Sequence, residues 1–308
     1  MTGGTTLVTG ASGFIGSAVV RRLTEAGRPV VATARGNLDA LSQQLAVPVT
    51  MLDVMGDLPA LDGVATVIHC ATPNDIQSRE GDAGLPLAVS GTRRLLAHAA
   101  EQGVRRVVFL STLQVYGTEL SGAITEDTPV RCENLYGLNH YLGEEVCRFY
   151  AETAGMDIVA LRPSNVYGVP LVSTVDRWTL VPMCFVREAV ETGAVTLRSS
   201  GRQRRNFVST EEVAGVIADL IADFPPGFSI VNAASDWTAS IAEIAAMVEQ
   251  VWRRTRSDRI ALRVLSDRPE HGNDFTVETR LATRRPTPAQ SRRRMEETIE
   301  GLIELHRK

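Results

Sequence analysis

Residues 7–16 read Leu7-Val8-Thr9-Gly10-Ala11-Ser12-Gly13-Phe14-Ile15-Gly16, an apolar strand running into a turn with three glycines and then into an amphipathic helix. The glycines follow G-x-x-G-x-x-G, a variant of the dinucleotide fingerprint: they permit a tight turn, close backbone approach to a pyrophosphate, and close packing of helix on strand. Free N–H groups and the positive dipole end of such a helix face the phosphates. Gly10, Ser12, Gly13, Phe14, Ile15 and Gly16 are therefore the expected cofactor cradle. The setting carries the assignment, because residues 5–9 read as a strand before the glycines and residues 14–26 as a helix after them, ending at Gly27.

A second strand over 30–34 completes a β-α-β unit. NAD sites place an Asp or Glu after this strand to hold the adenosine ribose hydroxyls, whereas Arg35-Gly36-Asn37 stands here and the first acid is Asp39. An Arg at this point pairs with a 2′-phosphate, so NADP(H) is favoured and NAD(H) is the alternative. The plainer reading of Arg35 is a solvated side chain at a strand end.

The 308 residues are 44% hydrophobic and 22% charged with a formal net charge of −4, ordinary values for a globular chain with a sizeable core. That charge leaves no electrostatic footprint for nucleic acid or an anionic membrane. No apolar run reaches the roughly 18 residues of a membrane span, and the N-terminus lacks a basic region followed by an apolar one, so a cytoplasmic location is expected. Cys70, Cys132, Cys147 and Cys184 have neither metal-knuckle nor disulfide-framework spacing and read as buried small hydrophobes; no metal site is expected.

Further strands are expected over 47–52, 67–71, 106–110 and 158–161, with helices over 83–102 and 136–153 and a loop over 111–117. Strands alternating with helices imply the α/β class: a Rossmann-type, doubly wound parallel sheet whose ligands gather at the carboxyl ends of its strands. After Arg162-Pro163 the pattern changes to helices near 181–191, 210–222, 240–253 and 291–305, interleaved with short strands near 195–198, 229–231 and 260–265. This predicts a dinucleotide-binding domain over 1–165 and a smaller C-terminal α/β substrate lobe over 166–308, with some segments exchanged between them. The Arg-rich runs at 253–259 and 292–294 read as solvated helix ends and faces.

Taken together, Thr9-Gly10-Ala11-Ser12-Gly13-Phe14-Ile15-Gly16, Asp53-Val54, Ser111-Thr112-Leu113-Gln114-Val115-Tyr116-Gly117, Tyr136-Gly137-Leu138-Asn139-His140 and Arg162-Pro163-Ser164-Asn165-Val166-Tyr167-Gly168 resemble the extended short-chain dehydrogenase/reductase family. The resemblance covers nearly the whole chain in order and spacing, and many members of that family are nucleotide-sugar epimerases, dehydratases and reductases. It implies that Asp53 and Val54 contact the adenine, that Thr112 takes the place of the Ser/Thr that hydrogen-bonds the substrate carbonyl, and that Tyr136 is the proton donor or acceptor. Ala71 and Pro163, at the ends of two expected strands, join the cofactor set. Where the family has a Lys four residues after the Tyr, bonding the nicotinamide ribose and keeping the tyrosine pKa low, this chain has His140. The Asn of a segment resembling N-V-x-G-T is Ala88. Both departures weaken the usual proton relay.

Hydride transfer to a ketone builds negative charge on its oxygen, so hydroxyl donors stabilise the transition state and one of them must deliver a proton. Tyrosine, with a reference pKa of about 10, is a reluctant acid, and a histidine near its reference value of about 6.5 is only fractionally charged at neutral pH. Tyr136 and His140 share a helical face as any i, i+4 pair does, so a catalytic part for His140 stays open. His69, at a strand end, reads as a packed core histidine.

The stretch Gly201-Arg202-Gln203-Arg204-Arg205-Asn206-Phe207-Val208 is similar to the family segment ending R-D-F-V, which implies that Arg205 binds a nucleotide diphosphate. Arg268, in Arg268-Pro269-Glu270-His271-Gly272, loosely resembles a second such site. Arg forks suit phosphate, but Asn206 replaces the family Asp, which leaves the pocket open to another ketone. Gln114 and Asn165 complete the expected substrate contacts. The expected function is an NADPH-dependent ketoreductase acting on a small-molecule ketone, an activated deoxysugar or a polyketide-type ketone in a specialised biosynthetic pathway. The alternatives are a nucleotide-sugar epimerase or dehydratase that retains NAD, and a non-catalytic dinucleotide-binding protein. The resemblance also implies a homodimer in which helix 83–102 and the helix beginning at Tyr136 pack against their counterparts as a four-helix bundle.

Overall fold

Successive residues of a strand point to opposite faces, so a continuous apolar run serves two cores when helices cover both sides of a sheet. The computed structural model describes residues 4–79, 83–173, 175–256, 258–266, 273–280 and 286–306. In chain order, β1 (Thr5–Thr9), α1 (Phe14–Glu25), β2 (Val30–Ala34), α2 (Leu38–Leu45), β3 (Val49–Met51) and β4 (Val64–His69) come first. Then follow α3 (Asp75–Arg79), α4 (Gly84–Pro86), a π-helical turn (Leu87–Gly91), α5 (Thr92–Glu101) and β5 (Arg106–Leu110). A 3-10 turn (Leu113–Tyr116) and β6 (Gly122–Ile124) lead to α6 (Leu135–Ala154), β7 (Asp157–Pro163) and β8 (Asn165–Tyr167). The remainder holds α7 (Met183–Thr192), β9 (Ala194–Leu197), β10 (Arg204–Ser209), α8 (Thr210–Ala222), β11 (Phe228–Ala233), β12 (Thr238–Ser240), α9 (Ile241–Arg256), β13 (Ala261–Val264), β14 (Phe275–Val277) and α10 (Pro288–Leu305).

Seven parallel strands form one sheet in the order β11-β7-β5-β4-β1-β2-β3, the doubly wound arrangement expected from the alternation of strands and helices. Val8, Ile68, Val108 and Val159 share a core with Val19 and Leu23 of α1 and Val213 and Ile217 of α8. Their neighbours Leu7, Val67, Val107 and Ile158 share another with Leu95 and Leu96 of α5 and Cys147 of α6. The strand order reverses between β1 and β4, which opens a crevice at their carboxyl ends. A three-stranded sheet (β12-β10-β8) and the two-stranded pairs β13-β9 and β14-β6 lie outside the central sheet.

Several expectations are corrected. The strand expected at 229–231 within the small lobe is β11 of the central sheet, paired with β7 from Phe228↔Ile158 to Ala233↔Pro163, where its fully buried Val231 and Ala233 join the core that holds Val8 and Val159. The helix expected over 83–102 is divided into α4, the π-helical turn and α5, with Pro86, which has no N–H to donate, at the first junction. The fourth strand begins at Val64 and stops at His69, which leaves Ala71 in the crevice instead of the sheet. The loop over 111–117 contains the 3-10 turn, capped by Thr112, whose Oγ1 accepts from the Gln114 N–H at 3.3 Å. Of the cysteines only Cys147 is fully buried. Among the described residues no helix is long and apolar enough to cross a membrane.

Candidate active site

The glycine turn is held by contacts that leave no room for side chains. Gly10 has φ +66°, and a Cβ there would lie 2.9 Å from the backbone of Cys70 and Ala71. A Cβ on Gly16 would lie 2.2 Å from the Gly10 carbonyl oxygen, and one on Gly13 3.1 Å from the same atom. The first turn of α1 therefore sits directly on the end of β1. No side chain caps α1 and its first turn holds no acidic residue, so its unpaired N–H groups and positive dipole end are available to an anion.

Gly10, Ser12, Gly13, Phe14, Ile15 and Gly16 all line a cavity of about 940 Å³. Arg35 reaches it from the end of β2, Asp53 and Val54 from beyond β3, Ala71 from beyond β4, and Pro163 from the end of β7. The Asp53 Oδ1 accepts from the Met55 N–H at 3.0 Å, and Arg94 of α5 donates to the carbonyls of Val54, at 3.1 Å, and Gly56. The glycine contacts, the uncapped helix and the polar groups strung along the crevice fit a nicotinamide dinucleotide.

The loop after β5 and the start of α6 are clamped together. Asn134 caps α6 by accepting from the Gly137 N–H at 2.8 Å, while its Nδ2 donates to the Gln114 Oε1 at 3.0 Å. A Cβ on residue 137 would stand 2.7 Å from the Gln114 carbonyl, so glycine lets the helix touch the loop. Gln114, an expected substrate contact, thus lines the cavity while its side chain serves this clamp. The result is that Thr112 and Tyr136 stand on one wall of the cavity, with the Thr112 hydroxyl close enough to the phenol to influence its ionisation. Burial pushes the Tyr136 phenol above its ordinary pKa; the Arg177 charge and the Thr112 hydroxyl pull it back, and Asp75 pushes it up.

His140 is buried, its Nε2 donates to the Pro73 carbonyl at 3.1 Å, and its ring meets the Tyr136 ring edge-on at 4.6 Å. Burial lowers its pKa to about 4, against which the carbonyls of Pro73 and Leu110 work. The imidazole is neutral at physiological pH. His69 lies between Thr9, at 2.9 Å, and Thr92, at 3.3 Å, and burial followed by the charge of His140 lowers it to about 3.

Behind the hydroxyls lies a buried ion pair. Glu144 of α6 accepts from Arg162 of β7 through Nε at 2.9 Å and Nη2 at 2.5 Å, and from the Ser111 hydroxyl. The Arg162 guanidinium covers the Tyr116 ring at 4.7 Å, and the Tyr116 hydroxyl donates to the Asn232 Oδ1 of β11 at 3.0 Å.

At the other end of the cavity, Asn165 and Arg205 line the wall, but the Asn165 Nδ2 donates to the Asn206 carbonyl at 3.0 Å and the Arg205 Nη1 to the Arg204 carbonyl at 3.0 Å. Asn206 is buried and donates to the Ser235 carbonyl at 2.9 Å, joining β10 to the end of β11. Arg268 lies outside the described residues. Among the cavity residues to which the sequence assigned no role are Arg177 and Asp75, whose Nη1 and Oδ1 are 2.7 Å apart. Asn74 and Gln77 exchange capping hydrogen bonds of 2.8 and 3.0 Å, a legible helix-start signal at Asp75, whereas no local pattern marks Arg177.

The fold, cradle and hydroxyl pair define a dinucleotide-dependent enzyme of the short-chain dehydrogenase/reductase type. The model of the NAD dependent epimerase/dehydratase family matches residues 6–234, and the chain belongs to that family. It is 29% identical over 280 residues to a dTDP-4-dehydro-6-deoxy-D-allose reductase from a Streptomyces species, covering 84% of each chain. It is 27% identical over 277 residues to an uncharacterized UDP-glucose epimerase, YtcB, from Bacillus subtilis (strain 168), covering 83% of this chain and 85% of the relative. Among solved structures, the dTDP-glucose 4,6-dehydratase DesIV from Streptomyces venezuelae, with NAD bound, superposes with a TM-score of 0.80 at 25% identity over 97% of each chain.

The neutral His140 makes a testable contribution to acid stability. Its folded pKa of about 4 lies below the unfolded reference of 6.5, so unfolding takes up a proton in that window: stability is complete above about pH 6.5 and is lost as pH falls toward 4. His140→Gln keeps an N–H for Pro73 and removes the titration. Urea unfolding at a series of pH values is expected to show a slope of stability on pH reduced by up to about 1.4 kcal/mol per unit between pH 6.5 and 4. An unchanged slope would mean that His140 is not held neutral by the fold.

Proposed function

We propose that this chain is an NADPH-dependent ketoreductase whose substrate is a small-molecule ketone carried on a nucleoside diphosphate, an activated deoxysugar. The observation that carries this reading is the placement of half-buried Tyr136 with Thr112 in the cavity wall: the phenol stays in its protonated form at neutral pH, so the proton that a ketone reduction consumes is in place. Bound NADPH supplies the hydride to the carbonyl carbon. Tyr136 gives its proton to the carbonyl oxygen, Thr112 donates a second hydrogen bond to the same oxygen, and the ketone leaves as an alcohol. His140, neutral and bonded to Pro73, holds the tyrosine ring and carries no charge of its own.

Other features support the substrate class and argue against dehydration. The residues beside Thr112, Leu113 and Gln114, supply neither the acid nor the base that loss of water from a sugar needs, and Asp75 is paired with both Arg177 and Arg79. Arg205 at the far end of the cavity suits a diphosphate. The reductase relative is named for a dTDP-4-dehydro-6-deoxy sugar, and its match covers 84% of each chain. A second reading, an epimerase that retains NAD, is favoured by the similarity to YtcB. It predicts NAD that co-purifies and is not consumed.

NADPH absorbance in the presence of nucleoside-diphosphate ketosugars tests the first reading. Turnover is expected in the wild type, with Tyr136→Phe lowering kcat about 10²–10⁴-fold while NADPH affinity stays nearly constant. Tightly held NAD with no net consumption would overturn it in favour of the epimerase.

Arg35, exposed at the end of β2 and lining the cavity, supports the choice of NADPH. Arg35→Asp removes a charge-assisted contact to a 2′-phosphate and adds repulsion, so calorimetry is expected to show NADPH affinity falling by about one to two decades with NADH affinity little changed. Equal losses for the two cofactors would place Arg35 away from the phosphate.

The proposed assembly is a homodimer. Val89, Leu142, Val146 and Tyr150 form an apolar hollow with Phe149, which is 58% exposed, on the outer face of α6 and the π-helical turn. A second copy would cover it. Light scattering at micromolar concentration is expected to give twice the chain mass, and a monomer would refute the assembly.

A further inference from the structure

We propose that Arg177, in the segment between β8 and α7, supplies the permanent positive charge that this chain lacks one turn after Tyr136, and so sets the acidity of Tyr136 from outside α6. The inference deepens the reading of Tyr136 as proton donor and rests on it. Arg177 acts through the tyrosine and is a positioning residue.

The geometry comes from one short segment, residues 73–75. The Pro73 carbonyl accepts the His140 Nε2–H at 3.1 Å, which fixes the segment against α6 beside Tyr136. Two residues on, Asp75 Oδ1 holds the Arg177 Nη1 at 2.7 Å, and Asp75 Oδ2 holds the Arg79 Nη2 at 2.6 Å. One carboxylate between two guanidiniums leaves the cluster net positive. Arg177, Asp75, Tyr136 and His140 all line the same cavity, and the side chains of Arg177 and Asp75 are only about one-quarter exposed, at 25% and 26%. Screening by solvent is correspondingly reduced.

Among the described residues, the charged and titratable groups facing Tyr136 are Arg177, Asp75 and His140, each from a different element. His140 is neutral for the reasons given above, and Asp75 opposes ionisation of the phenol. Arg177 is the one group of the three that favours it, and the largest influence acting against the effect of burial. Guanidinium suits this place: it keeps its proton at any physiological pH and has the reach to enter the site from another segment. The chemistry that a lysine on the helix performs by position is here performed by a side chain brought in by tertiary folding.

The test uses the full chain with 3,5-difluorotyrosine at position 136, whose fluorines bring the phenol titration into a pH range where the protein stays folded, observed by fluorine NMR. Because Arg177→Gln alone would also unpair Asp75, the comparison is Asp75→Asn against Asp75→Asn with Arg177→Gln. The phenol is expected to titrate about one pH unit higher in the double variant, the low end of the shift that an opposite charge within a few ångströms produces. Asp75→Asn with Arg177→Lys is expected to stay near the Asp75→Asn value, and also serves should the glutamine variant fail to fold. A titration that moves by less than about 0.3 unit on removing the charge would overturn the proposal. Such a result would leave Arg177 as a ligand for an anionic substrate group. The readout needs no turnover: failure of the ketone assays would sink the reductase reading and leave the titration standing, whereas an unmoved titration removes Arg177 even if Tyr136→Phe abolishes turnover.

Discussion

The geometry of the reaction centre depends on the buried ion pair between Glu144 and Arg162, whose side chains are each about 1% exposed. Taking two charges out of water costs several kcal/mol per ion, and the attraction offsets this only where the geometry is good and the remaining lone pairs are used. Both conditions hold: the two carboxylate oxygens accept from Nε and Nη2, and the Ser111 hydroxyl donates to the same carboxylate. Glu144 lies two helical turns after Tyr136, Arg162 precedes Pro163 of the cofactor crevice, and Ser111 precedes Thr112. One carboxylate thus sets α6, β7 and the loop after β5 in a common register. Through Tyr116 and Asn232 the network continues to β11, the edge strand of the central sheet.

Close approach of helix to sheet makes this network possible, and glycines permit it. A Cβ on Gly143 would come within 2.5 Å of the Phe109 ring, so α6 rests on β5 one residue before Glu144 reaches Arg162. Gly137 does the same at the start of the helix against Gln114, and Gly16 does it for α1 against Gly10. Three contacts of one kind place two helix ends at the mouth of one crevice: α1 directs its uncapped N–H groups along it, and α6 directs Tyr136 into it.

The low dielectric around Tyr136 and His140 decides their protonation more than their spacing does. Burial holds the imidazole neutral and the phenol protonated, so a motif that would place a cation on the helix places a hydrogen-bonded ring there instead. The charges of the site come from outside α6: Asp75 at the start of α3 and Arg177 between β8 and α7 converge from segments about one hundred residues apart in the chain.

Local patterning carried much of the fold. The glycine spacing after an apolar strand, the amphipathic run of α1 and the helix over 210–222 are readable because each follows from a few neighbouring residues and their period. The crevice, with its cradle residues and the pairing of Thr112 with Tyr136, follows once those elements are laid in order. The three-residue strands β6, β8, β12 and β14 were not readable, because so short a run has no period of its own and exists only through partners far away in the chain. For the same reason the place of β11 beside β7 escaped, since a short apolar run does not say which sheet will bury it. The sequence by itself determined that the chain folds as a doubly wound α/β dinucleotide-binding enzyme with a tyrosine and a histidine one turn apart. Tertiary structure alone decided that the histidine is neutral, that Glu144 locks the helix to the sheet, and that Arg177 stands beside the tyrosine. Those properties arise from desolvation and from contacts between distant segments, which the order of residues along the chain does not encode locally.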